Sequence, residues 1–216
     1  IIAAKYKVSF HSIAFQTDAF AKKNKLSIQA AARELRYSWF ERIRLEFNYK
    51  LVTTAHHQND SIETFLINFA RGTGISGLHG ILPKQGAIIR PMLFATKQEI
   101  DEYAKKQKLH YREDSSNTSD KYTRNKIRHH IIPVLKELNP AFEKTANSTI
   151  QHLIEAESIY KNEIENKRAK IVKTKKNITT IPIHFLKQLK PLNTYLYEFL
   201  KPFNFNAAVV AEIIVA

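Results

Sequence analysis

Apolar residues recur at helical spacing along most of the chain, broken by a few short β-branched runs. Ile62, Phe65, Leu66, Phe69 and Ala70 fall at i, i+3, i+4, i+7 and i+8, which predicts a helix with one buried face. Just before it, Leu51-Val52-Thr53-Thr54-Ala55 reads as a buried strand, and Ala87-Ile88-Ile89-Arg90 reads as another, ended at Pro91. Thr96 and Glu99 have the spacing of a capping box, opening a helix whose inward stripe is Ile100, Tyr103 and Ala104. Toward the N-terminus, Ile1–Tyr6 reads as the last turns of a helix. Lys7–Phe15 alternates loosely through Val8, Phe10, Ile13 and Phe15 and predicts a strand. Asp18 is placed to cap a short helix ending near Asn24. Ser27 caps a longer one carrying Ile28, Ala31, Leu35, Trp39 and Ile43 on one face. Beyond residue 120, a helix that Pro133 kinks or divides is followed by a long helical pattern from Ala141 through Ala146, Ile150, Leu153, Ile159 and Ile164 to about Ile171. Asn177–Phe185 is a strand or extended link, and Pro191–Leu200 and Asn206–Ala216 are short helices. The alternation of strand and helix points to an α/β fold with a parallel, doubly wound sheet over residues 1–138, and Asn139-Pro140 marks the boundary of a mainly helical region, 139–216.

Composition narrows the class of partner. The chain has 216 residues, 44% of them hydrophobic, enough for a core. No uninterrupted apolar run approaches a membrane span, the start lacks the layout of a secretory signal, and the absence of Cys excludes disulfides and fits a cytoplasmic protein. Lys and Arg number 34 against 20 acids, for a net charge of +14 and a pI near 9.8. Such an excess favours a polyanion, with nucleic acid ahead of a membrane surface. The basic residues also cluster. Lys121–Lys136 contains no acid, and Arg124, Lys126 and Arg128 crowd the start of a helix, where cations oppose the dipole unless an anion binds there. Asn166–Tyr197 is likewise free of acids, although lysines near a helix C-terminus also suit its dipole.

The chemistry-bearing stretch is Leu51–Gly80. His56-His57-Gln58-Asn59 falls at the predicted strand's carboxyl end, where open α/β sheets place ligands. The helix after it closes at Arg71, Gly72 suits its left-handed cap, and all five glycines lie between Gly72 and Gly86. Strand, polar cluster, helix and glycine loop in that order suit a nucleotide or phosphate site. Two readings of Asp60 and Glu63 stay open: a capping box with Asp60 at N-cap and Glu63 at N3, or carboxylates that face a substrate. Arg71-Gly72-Thr73-Gly74 is neither a Walker A loop nor GxGxxG, and adjacent His56-His57 without Cys or HExxH make a poor zinc site. Upstream, Arg33 and Arg36 project from neighbouring positions of one helix, either as a solvated face with Glu34 or as phosphate contacts.

Taken together, Ala-His-His-x-x-Asp-x-x-Glu-Thr from Ala55, Arg-Gly-Thr-Gly from Arg71 and Gly-Leu-x-Gly-Ile from Gly77 resemble the core of the bacterial tRNA(Ile)-lysidine synthetases, which are N-type ATP pyrophosphatases with a Rossmann-like domain. Two further stretches resemble the family: Ser27–Phe40, and Glu113-Asp114-Ser115-Ser116-Asn117 followed by Arg124-Asn125-Lys126-Ile127-Arg128-His129. The likeness runs from about Phe10 to Pro140. It implies ligation of L-lysine to the wobble cytidine of an isoleucine tRNA with a CAU anticodon. ATP adenylates the C2 oxygen, and the ε-amine of lysine then displaces AMP. It implies ATP and Mg²⁺ as cofactors, tRNA and lysine as partners, no membrane, and leaves a homodimer open. By resemblance Asp60, Glu63, His56 and Arg124 are the catalytic candidates. Arg33, Arg36, Arg71, Gly72, Gly74, Asn125 and Arg128 are candidates for phosphate and substrate contact, with no protein metal ligand among them.

The family's Ser-Gly-Gly-x-Asp-Ser phosphate loop has no counterpart here, since no glycine precedes Gly72. The chain also opens without an initiator Met and stops inside a helical pattern. It is therefore expected to be a piece of a longer protein with an incomplete sheet, unable to form lysidine by itself. Where the family often has Asp, this chain has Asn59, which leaves Asp60 as the carboxylate of that pair. A related tRNA-thiolating pyrophosphatase is disfavoured by the lack of Cys, and a basic RNA-binding module without catalysis is the alternative from another class.

Overall fold

A computed structural model describes residues 2–112, 119, 120 and 122–215. Helix α1 (Ile2–Lys5) is followed by α2 (Thr17–Asn24), α3 (Ile28–Glu46), β1 (Val52–Thr53), α4 (Gln58–Arg71), α5 (Ile75–Leu78), β2 (Lys84–Gln85), β3 (Ile88–Ile89) and α6 (Lys97–Lys106). Then come α7 (Thr123–Lys126), a π-helical turn (Ile127–Ile131), α8 (Ile132–Leu138), α9 (Phe142–Ile171), β4 (Lys173–Lys175), β5 (Ile178–Thr180), α10 (Ile183–Leu186), α11 (Leu192–Leu200) and α12 (Ala207–Val215). The chain divides into two compact units, Ile1–Gln58 with Leu82–Lys108, and Asn59–Ile81 with Leu109–Ala216.

In the first unit β1 runs parallel to β3, with Val52 opposite Ile88 and Thr53 opposite Ile89. The parallel pairing is the one the strand–helix alternation predicts. A short antiparallel β2, unforeseen from sequence, turns into β3 through Gly86, whose φ of +59° lies in the left-handed region. The buried Arg90 then staples this hairpin by donating from Nη1 to the Leu82 carbonyl at 2.7 Å. Ser27 caps α3 as expected, its hydroxyl accepting from the Ala30 N–H at 3.2 Å, and Ala31 is fully buried. The capping box of Thr96 and Glu99 also forms.

Two expectations fail here. Lys7–Phe15 contains no strand: a strand needs a neighbour for its ladder, and Val8 and Phe10 stay 61% and 79% exposed. Asp18 does not cap α2. It lies inside the first turn, where its charge meets the positive end of the helix dipole, and Gln16 precedes the helix.

The second unit is mainly helical, with β4 and β5 forming a short antiparallel pair. Ile62, Phe65 and Leu66 of α4 pack with Ile132, Ala146 and Ile150 in one core, and Ile164, Ile171, Leu189 and Phe199 centre another. Helix α9 places Ala146, Ile150 and Ile164 inside as the periodicity predicts, but turns Ile159 outward at 73% exposure. Glu157 is buried instead. Pro133 divides the preceding helix. It has no N–H to donate, and the turn before it widens so that the Ile132 N–H reaches back to the Ile127 carbonyl.

Candidate functional site

Helix α4 carries the central charge cluster of the second unit. Its apolar stripe faces the core, and the next position, Glu63, is drawn in with it to 1% exposure. A carboxylate buried that deeply needs a cation. Arg128, from the π-helical turn, supplies one: its Nε donates to Oε1 at 2.7 Å and its Nη2 to Oε2 at 3.1 Å. That two-pronged, charge-assisted contact raises the Arg128 pKa further above its ordinary value. Arg124 approaches from the same segment, its Nε 3.4 Å from Glu63 Oε2 and its Nη2 donating to Thr64 Oγ1 at 2.9 Å. Asp60 stands one turn earlier, its Oδ1 3.9 Å from Arg128 Nη2.

This arrangement removes the capping-box reading of Asp60 and Glu63. The capping box does not form. Helix α4 begins at Gln58, so Asp60 lies within its first turn, and the Glu63 carboxylate is spent on arginines. A bidentate guanidinium bond to a buried carboxylate outweighs a cap worth about 1 kcal/mol. Asn59 donates from its amide to Glu143 Oε1 at 2.9 Å, with Lys136 Nζ 3.4 Å from the same oxygen. Asn125 is buried and donates to the Ser119 carbonyl at 2.6 Å. The Glu113–Asn117 motif lies outside the described residues.

The glycine segment is also in this unit. Arg71 ends α4 and Gly72 takes φ +76°, the left-handed cap predicted for it. Gly74 needs no such freedom and starts α5 with open space around it. Crowding falls instead on Gly77, where a Cβ would run into the Thr73 side chain, and on Gly80, where it would meet Ser61 Oγ and lie 2.9 Å from the Ser61 carbonyl oxygen.

The remaining candidates lie in the first unit, around a cleft of about 390 Å³ at the carboxyl end of β1. Arg33 and Arg36 of α3 line it together with Tyr37, Phe40, Thr54 and His56. Arg33 stacks over the Tyr37 ring at 4.7 Å, and Thr54 Oγ1 is hydrogen-bonded to His56 Nδ1 at 2.9 Å. The aromatic wall was not foreseen, although Tyr37 and Phe40 follow Arg33 at helical spacing. Thr64 and Glu143 were also missed, since nothing in their spacing announces a partner far along the chain.

A parallel strand with an arginine-lined cleft at its carboxyl end, and the helix that follows it, place the chain in the Rossmann-like α/β class. It belongs to the PP-loop domain family, whose model matches residues 2–135. A second family model, the TilS substrate binding domain, matches residues 174–216. Among curated relatives, the tRNA(Ile)-lysidine synthase of Bacteroides thetaiotaomicron is 39% identical over 98% of this chain and 49% of its own length. That of Parabacteroides distasonis is 40% identical over 99% of the chain and 48% of its own length. A third, from Thermosipho africanus, is 44% identical over 69% of the chain and 35% of its own length. The chain thus spans about half the length of the first two relatives.

Proposed function

We propose that this chain takes part in forming lysidine on an isoleucine tRNA with a CAU anticodon, using ATP and L-lysine. The observation that carries the reading is the match along nearly the whole chain to proteins named tRNA(Ile)-lysidine synthase. In the reaction, the C2 oxygen of the wobble cytidine attacks the α-phosphorus of ATP and pyrophosphate leaves. The ε-amine of lysine, having lost a proton, then attacks C2 and expels AMP.

The geometry supports a division of labour. Arg33 and Arg36 contact phosphate oxygens in the cleft beside His56, which Thr54 orients. Arg124 stabilises charge as pyrophosphate leaves. Asp60 is the better carboxylate for the lysine ammonium, because Glu63 is buried and already engaged by two arginines. Glu63 therefore acts by positioning Arg124 and Arg128, and is not the base. Arg71, Gly72, Gly74 and Asn125 are further candidates for substrate contact. Mg²⁺ is assigned to the ATP phosphates. Residues 139–216, with Lys173, Lys175 and Lys176 exposed, are the tRNA-contacting region. The setting is the cytoplasm, and no described helix is long and apolar enough to cross a membrane.

The test uses the full gene product that carries this chain, with ATP, Mg²⁺, radiolabelled lysine and a CAU-anticodon transcript. Lysine retained on RNA is expected, and should be lost in Asp60→Ala and on a transcript without the wobble cytidine. Tight tRNA binding with no incorporation would overturn the proposal in favour of a binding module.

A further inference from the structure

The hydroxyl of Thr64 is the least expected member of the charge cluster. It carries one hydrogen and two lone pairs. The hydrogen is given to the Asp60 carbonyl, one turn back on α4, at 2.8 Å. With its only hydrogen committed, the oxygen can only accept from any other neighbour. It accepts from Arg124 Nη2 at 2.9 Å. Arg124 Nε, on the same edge of that guanidinium, lies 3.4 Å from Glu63 Oε2. Two consecutive residues of α4 thus grip one edge of a planar group that is otherwise free to rotate about its long side chain. Glu63 alone would fix a distance, since Arg128 already occupies both of its oxygens. The second contact fixes the plane.

We infer that Thr64 is a positioning residue: its back-bonded hydroxyl holds the plane of the Arg124 guanidinium. This rests on the proposed role of Arg124 in stabilising phosphate charge, and adds the residue that orients it. An arginine still 36% exposed in its side chain samples many orientations unless it is held, and the contact keeps the cation pre-aimed.

Thr64→Val keeps the shape and removes the hydroxyl, whereas Thr64→Ser keeps the hydroxyl. The first readout is NMR of the Arg124 side chain in the full gene product, following rotation about its Nε–Cζ bond. Rotation is expected to be several-fold faster in Thr64→Val than in the parent protein or Thr64→Ser. Equal rotation in all three overturns the inference. The second readout is lysidine formation, where Thr64→Val is expected to lower kcat about 10- to 100-fold with little change in the KM for lysine. Thr64→Ser should stay within about threefold, and Thr64→Val should add nothing in an Arg124→Ala background. Full kcat in Thr64→Val, or additivity with Arg124→Ala, overturns the inference while leaving the lysidine reading intact. A parent protein that makes no lysidine but shows Thr64-dependent rotation overturns that reading and supports the positioning role.

Discussion

Glu63 shows how a single burial decides the chemistry around it. Its carboxylate, 1% exposed, is tolerable only because Arg128 and Arg124 satisfy it. Replacing Arg128 by Met should cost about 3 kcal/mol, the scale for stranding one member of a buried pair, and urea denaturation would measure it. Glu63→Gln should be milder, because the amide oxygen still accepts from one arginine. Glu157 offers a second case, with a pH signature. Burial alone would raise its pKa, but bonds from Lys161 and Ser76 and the nearby His79 outweigh that and hold it below the ordinary carboxylate value. A depressed folded pKa stabilises the protein above the unfolded value and loses that effect as pH falls through the folded one. Stability should therefore drop below about pH 4.5, with a shallower fall in Glu157→Gln, measured as Tm against pH.

At the scale of elements, the local signals that proved reliable were those completed within one turn. The boxed cap of Thr96 and Glu99, the Ser27 cap and the Gly72 stop were all legible, because donor and acceptor sit within a few residues of one another. Thr96→Ala should cost about 1 kcal/mol. The glycine segment allows a sharper comparison. Gly72→Ala meets nothing within 4 Å and should cost about 1 kcal/mol for its positive φ alone. Gly80→Ala adds a clash with the Ser61 side chain and backbone, so its loss should exceed that of Gly72→Ala in the same thermal melt. What could not be read was Lys7–Phe15. Alternation is a necessary mark of a strand, but pairing depends on a neighbour far along the chain.

Across the whole molecule, charge is the property that bears most directly on a partner. If the proposed tRNA partner is right, the net +14 predicts an affinity that falls steeply with salt, by on the order of 10- to 100-fold between about 0.1 and 0.3 M for roughly four neutralised phosphates. Changing Lys173, Lys175 and Lys176 together to Gln should reduce the slope of log K against log salt by about 2 to 3, as read by filter binding. An unchanged slope would place the phosphate contacts elsewhere, with the Arg124–Arg128 segment the next region to test.

The sequence by itself determined the amphipathic face of α4, the parallel pairing of β1 with β3, the long α9 and the excess of positive charge. Each follows from spacing or composition, which act locally or as a sum. Only the tertiary structure decided which of the candidate side chains meet. Arg128 reaches Glu63 across 65 residues, and Arg124 reaches Thr64 across 60. Both contacts arise because α4 and the π-helical turn share a core through Ile62, Ile127 and Ile132. A carboxylate three residues after an aspartate looks like a cap when only its neighbours are known. It becomes the anchor of two guanidiniums once burial removes water and the strongest available cation takes its place.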